Sequence, residues 1–315
     1  MIEAHQLSKY FGERTAIRNL SFTIATGEAV GLLGLNGAGK TTTLRVLACL
    51  LLPTSGSVRI DGIEVTEDPY AIRRRIGFLP DVPPLYPEMT VGRFLAFAAR
   101  LRQIPAREVP ARVAEAEEKT ALRETHGEVI GELSHGYRQR VGIAQAIVHK
   151  PALLILDEPA AGLDPAQIVE MRGLLRGLRG EHTVLISSHF LTEISQICDR
   201  LLVMHEGDLV GQGSEAELAA SMGQGGRTIE AEVRGQPADM AARLSGLAGV
   251  TQTQSQATAE ATTVFAISAT SDVRAEVARL LVGSGCELLR LHTRASANLE
   301  SIFMAMTGKP SGGPQ

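Results

Sequence analysis

Cysteine is scarce in this 315-residue chain, with Cys49, Cys198 and Cys286 lying far apart. An odd number without a Cys-x-x-Cys pair excludes a disulfide framework and a zinc site of the usual spacing. It fits a reducing, cytoplasmic setting. Long apolar runs are missing too. No window reaches the ~20 apolar residues of a membrane span, and stretches such as Val46 to Leu52 fall far short. The opening MIEAHQLSKYFGERTAI lacks the apolar core that a signal peptide needs. Any membrane role therefore acts through a partner. Strong charge of one sign is also absent. A formal net charge of -4 gives no global basic field for nucleic acid, although a local patch stays open. Lysine is rare, 5 residues against 26 arginines, so a lysine at a chemically meaningful position carries weight.

What remains is an ordinary globular balance, 44% hydrophobic and 21% charged. That balance excludes collagen, a long coiled coil and wholesale disorder. At ~150 residues per domain, the length predicts two domains. The first ~215 residues alternate short apolar runs with amphipathic ones. Ala29 to Leu33, Leu153 to Ile155 with Leu156, and Thr183 to Ile186 read as buried strands. Thr41 to Leu51 and Pro165 to Leu178 read as helices, the latter with apolar residues at Ile168, Met171, Leu174, Leu175 and Leu178. Fully apolar strands alternating with helices indicate a parallel sheet covered on both faces. Leu201 to Met204, His205 to Asp208 and Leu209-Val210 read as a closing hairpin. The composition shifts at Ser221 to Gly226, a flexible-linker pattern. Beyond it, strands at Thr228 to Val233, Val250 to Gln254, Thr263 to Ser268 and Glu287 to His292 alternate with helices at Pro237 to Leu247 and Asp272 to Val282. The order βαββαβ predicts a small ferredoxin-like α+β module over 227–307. A last helix is expected from Asn298 to Met306 and a disordered tail over 308–315. There is no internal repeat.

Two motifs carry chemistry directly. Gly34, Leu35, Asn36, Gly37, Ala38, Gly39, Lys40 and Thr41 match G-x-x-x-x-G-K-[ST] between a strand and a helix, with Thr42 next in line. The glycines let backbone N–H groups turn inward as an anion nest, and the helix N-terminus adds partial positive charge. Lys40 reaches the β- and γ-phosphates of a nucleotide, and the Thr41 hydroxyl ligates Mg²⁺. The strand Leu153 to Leu156 ends in Asp157 and Glu158. Carboxylates at the carboxyl end of a buried parallel strand lie where open α/β sheets bind ligands. Asp157 is placed to hold Mg²⁺ and Glu158 to polarise a water for attack on the γ-phosphate. A strand-end turn with a helix cap is the plainer use of such a pair, and the phosphate loop favours the chemical one.

With these motifs in hand, the first ~215 residues resemble the nucleotide-binding subunit of an ABC transporter. Phe11-Gly12 resembles the aromatic loop that stacks on adenine, with Phe11 favoured over neighbouring Tyr10. Ile76 to Asp81 stands where the family's glutamine loop falls. Leu133, Ser134, His135, Gly136, Tyr137, Arg138, Gln139 and Arg140 resemble the ABC signature. Gly162-Leu163-Asp164 resembles the D-loop, and Ser187-Ser188-His189 the switch histidine. Ser134 is a good N-cap for the helix that follows, which makes either a capped helix or a second anion site. The resemblance implies the second. The signature of one subunit closes on the ATP held by another in a head-to-tail homodimer.

The fold so implied is a P-loop NTPase cassette over 1–220. It has a parallel-sheet core, an antiparallel β part and a helical signature subdomain, followed by the small C-terminal domain. ATP and Mg²⁺ are the implied cofactors. Glu158, His189 and Lys40 are the implied catalytic residues, and Thr41, Asp81 and Asp157 the implied metal ligands.

The sequence departs from the usual Leu-Ser-Gly-Gly-Gln at His135 and Tyr137, and Asp81 replaces the expected glutamine. Leu79-Pro80-Asp81, Pro84 to Thr90, Gly136 to Val141 and Leu163 to Glu170 resemble the gliding-motility and drug-export branch. That branch implies a cytoplasmic ATPase on the inner face of the membrane, paired with a separate integral permease and acting in export, with no nucleic acid expected. Pro83 to Leu101, with Phe94, Leu95 and Phe97 on a helix, is either a set of surface turns or, as its place before the signature favours, the permease-contacting surface, and Arg73-Arg74-Arg75 is a solvated face or, less often, an anionic-lipid or partner contact. The alternatives are a soluble ABC machine acting on ribosome or DNA, and a regulatory binder with little turnover.

Overall fold

The computed structural model describes residues 1–190, 194–221, 227–235, 239–257, 262–294 and 303. Most of the expected linker, the expected Asn298 to Met306 helix apart from Phe303, and the tail lie outside the described residues. The chain divides into two compact units, Met1–Gln212 and Gly213–Gln315.

The first unit carries, in chain order, β1 (Ile2–Phe11), β2 (Arg14–Ile24), β3 (Ala29–Leu33), α1 (Lys40–Leu47), β4 (Ser55–Ile60), β5 (Ile63–Glu64), α2 (Pro69–Arg75) and β6 (Ile76–Leu79). Then come α3 (Val91–Leu101), α4 (Val109–Lys119), α5 (His135–Ile147), β7 (Leu153–Asp157), α6 (Pro165–Gly177), β8 (Thr183–Ser188), β9 (Arg200–His205) and β10 (Asp208–Gly213). An antiparallel sheet runs in the order β2-β1-β4-β5. A second sheet runs β10-β9-β3-β8-β7-β6, in which β9, β3, β8, β7 and β6 are parallel.

Every residue of β3, β7 and β8 is buried, because both faces of this sheet are covered. The two-residue period of a strand divides β7 between the two cores. Leu153 and Ile155 join the core built with β1, β2, β4 and α1. Leu154 and Leu156 join the one built with α3 to α6.

Helix α1 stops earlier than its apolar spacing predicts. Cys49 takes φ 56°, and the N–H of Leu50 turns back to the carbonyl of Arg45 at 2.8 Å, a left-handed C-terminal cap. Pro69 and Pro165 occupy the first positions of α2 and α6, behind Asp68 and Asp164, which accept from the N–H groups of Ala71 and Gln167, each at 2.9 Å. A second sequence expectation changes. Phe94 and Leu95 on α3 are buried in the core, so they brace α3 against α4 and α5 and do not face a partner. Tyr86 and Leu101 are the exposed large apolar residues of the Pro83 to Leu101 segment.

The second unit opens with a helix at Glu215–Ser221 and continues β11 (Arg227–Arg234), helix Met240–Ser245, β12 (Val250–Ala257), β13 (Thr262–Ala269), helix Arg274–Gly283 and β14 (Glu287–Arg294). Its sheet runs β12-β13-β11-β14 with every neighbour antiparallel. This strand order is that of a split βαβ module. Ile229, Phe265, Ile267, Val277 and Leu281 form its core.

The three thiols are free and covered to different degrees. Burial pushes Cys49 up to about 11 against the opposing Arg73 charge, and Cys198 up to about 12. Cys286 is raised by burial as well.

Candidate functional site

The carboxyl ends of β3, β7 and β8 meet at one cavity of about 380 Å³. The loop after β3 crosses its floor. Gly39 has φ 103°, and a Cβ there would lie 2.6 Å from the carbonyl oxygen of Ala16. Only glycine lets the chain pass under β2 and start α1. Lys40 follows at once. It is 6% exposed, and its Nζ donates to the carbonyl of Gly34 at 2.7 Å and of Leu35 at 3.4 Å. The same Nζ lies 3.2 Å from Oε1 of Glu158.

Glu158 leaves β7 with φ 49°, a left-handed turn that aims its carboxylate back over the loop. Its other oxygen, Oε2, lies 2.7 Å from Nδ1 of His189 and accepts from the His189 N–H at 3.3 Å. One carboxylate therefore bridges the lysine and the histidine. Ser187 sets both acids. Its hydroxyl donates to Oδ1 of Asp157 at 2.6 Å and accepts from the Glu158 N–H at 2.9 Å.

Asp157 is 1% exposed, and its Oδ2 has no hydrogen-bond partner. Burial raises the Asp157 carboxyl above its ordinary range. The hydroxyls of Ser187 and Thr41 oppose the rise, and the charges of Glu158 and Asp81 add to it. A buried unpaired carboxylate oxygen with two further acids nearby is a fitting place for a divalent cation. Among the described residues no three His, Cys, Asp or Glu side chains close on a common point. A cation held here needs hydroxyl and phosphate oxygens to complete its shell.

The cavity brings together Phe11, Leu35, Asn36, Gly37, Gly39, Lys40, Thr41, Thr42, Asp81, Glu158 and His189. Phe11 stands at its mouth, 50% exposed, with the Lys9 ammonium 5.3 Å from its ring centre. Tyr10 does not line it. Three lining residues escaped the sequence reading, Arg14, Ala16 and Ala161. Arg14 reaches the mouth because the β1–β2 register pairs it with Phe11. Ala161 closes the wall beyond Glu158.

Ser134, His135, Gly136, Tyr137 and Asp164 are not at this cavity. The first four gather at the start of α5, while Asp164 caps α6. The Ser134 hydroxyl caps α5 through a long 3.4 Å bond from the Tyr137 N–H. Tyr137 is exposed beside the Arg140 guanidinium. Gln139, named above only within the signature-like run, has a structural task of its own. It is buried and donates from Nε2 to the Asp81 carbonyl at 3.4 Å, which ties α5 to the Asp81 loop. Its signal is a polar residue on the face that Gly136, Gly142 and Ile143 bury.

A second, larger groove of about 790 Å³ lies elsewhere on this unit. Leu50, Tyr70, Ile76, Phe78, Pro84 and Leu101 give it an apolar surface. Arg45, Arg73, Arg74 and Arg102 line it without a carboxylate among them. Arg73 rests over the Tyr70 ring at 5.0 Å, and its Nε is buried without a partner. No helix among the described residues is long and apolar enough to cross a membrane.

The sequence pattern of the family described as ABC transporter matches residues 17–161. The chain is 41% identical over 218 residues to the uncharacterized ABC transporter ATP-binding protein YxlF of Bacillus subtilis (strain 168), which covers 69% of this chain and 72% of the relative. It is 35% identical over 310 residues to the Nod factor export ATP-binding protein I of Burkholderia lata, spanning 98% of this chain and 97% of the relative. Among solved structures, the dimeric post-hydrolysis state of the ATP-binding cassette MJ0796 bound to ADP and Pi matches with a TM-score of 0.63 and 27% identity. That match covers 68% of this chain and 98% of the cassette.

Proposed function

The chain belongs to the ATP-binding subunits of ABC transporters, and from that premise we propose that it hydrolyses ATP to drive a separate membrane permease in the export direction. The observation that carries the reading is the Glu158 carboxylate held between Lys40 and His189 at the end of the phosphate loop. Arriving phosphates compete with Glu158 for Lys40, because an ammonium so enclosed binds whichever anion is nearer. Once Lys40 turns to the β- and γ-phosphates, Glu158 is free to accept a proton from water aligned on the γ-phosphorus. His189, at the end of β8, holds that phosphate from the other side. Phe11 offers an exposed ring face to adenine.

Thr41, Asp157 and Asp81 would hold Mg²⁺, which neutralises charge on the phosphate oxygens when bound. The unpaired Oδ2 of Asp157 fits that role.

The start of α5 serves a second copy. Ser134, His135, Gly136 and Tyr137 sit away from the chain's own cavity and present a helix N-terminus, which attracts phosphate. Two copies pairing head to tail complete two sites. The permease docks in the arginine-lined groove, whose apolar surface and unopposed positive charge suit an amphipathic segment bearing acidic residues. The protein works on the cytoplasmic face through that contact. The export direction is supported by a relative, an export ATP-binding protein, that matches nearly the whole chain.

Phosphate release from the purified chain, with and without membranes carrying the co-expressed permease, tests this. Hydrolysis that rises with permease and vanishes in Glu158→Gln is expected. Turnover that persists in Glu158→Gln removes the role assigned to that carboxylate.

A further inference from the structure

A histidine fastens the start of α5 to the turn that leaves the acidic strand. Nε2 of His135 lies 3.0 Å from the carbonyl oxygen of Ala161. Ala161 walls the nucleotide cavity, and its own N–H donates to the Glu158 carbonyl at 3.0 Å. Gly162 comes next with φ 73°, and a Cβ there would lie 3.2 Å from the same Nε2. The imidazole occupies the room that glycine leaves. A second contact lies alongside. A Cβ on Gly136 would sit 3.1 Å from Oε1 of Gln167, and the Gln167 N–H is fixed on Asp164. The two loops bear on each other at both points, but only the histidine joins them by a directed bond.

A carbonyl only accepts, so the imidazole must carry its proton on Nε2. Both the Nε2–H neutral tautomer and the cation satisfy this. The usual signature has glycine where His135 stands, and glycine has no side chain with which to make the link.

We propose that His135 is a positioning residue that couples the chain's own nucleotide cavity to the helix end it offers to a second copy. The route is short. Glu158 and Ala161 share one turn, His135 holds the Ala161 carbonyl, and Ser134 is the adjoining residue. When phosphates draw Lys40 away from Glu158, any shift of that turn moves the Ser134 end of α5 with it. The coupling is reciprocal, as linkage between two sites must be. This inference rests on the head-to-tail reading.

The test uses the full chain carrying Glu158→Gln, with dimer formation followed by sedimentation against ATP concentration. Nucleotide binding to dilute monomer is followed separately with a fluorescent ATP analogue. Adding His135→Leu should raise the ATP midpoint for dimerisation about tenfold, the scale of one hydrogen bond to a positioned group. The midpoint for monomer binding should move by far less. Adding His135→Gln in place of leucine should restore most of the dimerisation, since its Nε2–H reaches the same carbonyl. The proposal is overturned if His135→Leu dimerises at the parent's ATP concentration, or if His135→Gln fails as badly as leucine. If the Glu158→Gln parent stays monomeric at saturating ATP, the head-to-tail reading falls and takes this inference with it. A dimeric parent with an indifferent His135→Leu sinks the coupling alone.

Discussion

Helices α1 and α5 both begin where a phosphate can sit, and they begin differently. Helix α1 starts from a left-handed Gly39 with no side-chain cap, and its first residue is the buried Lys40. Its free N–H groups, its ammonium and two carboxylates from β7 all converge within the same chain. Helix α5 starts from Ser134, whose hydroxyl already accepts from the Tyr137 N–H, and that end does not line the cavity around Lys40. The first end is a finished site. The second is half of one, and the difference teaches that one chain can carry two phosphate-binding devices without carrying two sites.

Substitutions at the two ends should separate accordingly. Lys40→Ala strikes the finished site hardest. Hydrolysis should fall about a thousandfold and nucleotide affinity about a hundredfold, the cost of removing a positioned cationic donor from an enclosed site. Phosphate release and fluorescent-nucleotide titration read the two. Glu158→Gln should cut turnover by a few hundredfold, within the range of a missing general base, yet bind ATP at least as tightly as the parent. The reason is that the carboxylate competing for Lys40 has given up its charge. An affinity that drops in this variant would contradict the bridge seen between Lys40 and His189.

At the unfinished end, Ser134→Ala should lower turnover by roughly tenfold at protein concentrations where copies pair, the scale of one hydrogen bond from a hydroxyl to a charged group. Dilute protein should titrate with nucleotide as before. Equal reductions at both concentrations would mean that α5 acts within its own chain. Arg73→Glu with Arg74→Glu should reduce co-purification of the permease about tenfold, as expected when charge complementarity at an interface is reversed. The smallest effect belongs to Phe11→Ala. ATP affinity should fall about fivefold, the size of one aromatic stacking interaction, while binding of inorganic tripolyphosphate should not change.

The finished site was readable in the sequence because its chemistry is local. Gly34 to Thr41 form one loop, Asp157 and Glu158 end one strand, and each motif names its own residues. The unfinished end was readable only through likeness to a family, since a capped helix and half an anion site are spelled alike. Other features resisted for physical reasons. Strand β1 hides its alternation behind an irregularity. Gln6 takes φ 47°, the pairing register shifts between Ala4 and Leu7, and the apolar period slips with it. Phe94 and Leu95 looked like a partner's surface because an apolar helix face does not say whether its own core or another protein will cover it. Arg14 joins the cavity through strand pairing, which no local pattern announces. Gln139 was visible as a polar residue among buried ones, although the backbone carbonyl that it meets lies 58 residues away.

The covered thiols have a practical side. Burial holds Cys49 and Cys198 near 11 and 12 and raises Cys286, so at neutral pH each has little of the thiolate that reacts with alkylating dyes. A cysteine introduced at an exposed position such as Tyr137 would label far faster than the native three. The chain thus supplies its own quiet background for fluorescence, and a single dye beside the start of α5 would report in real time when a second copy arrives.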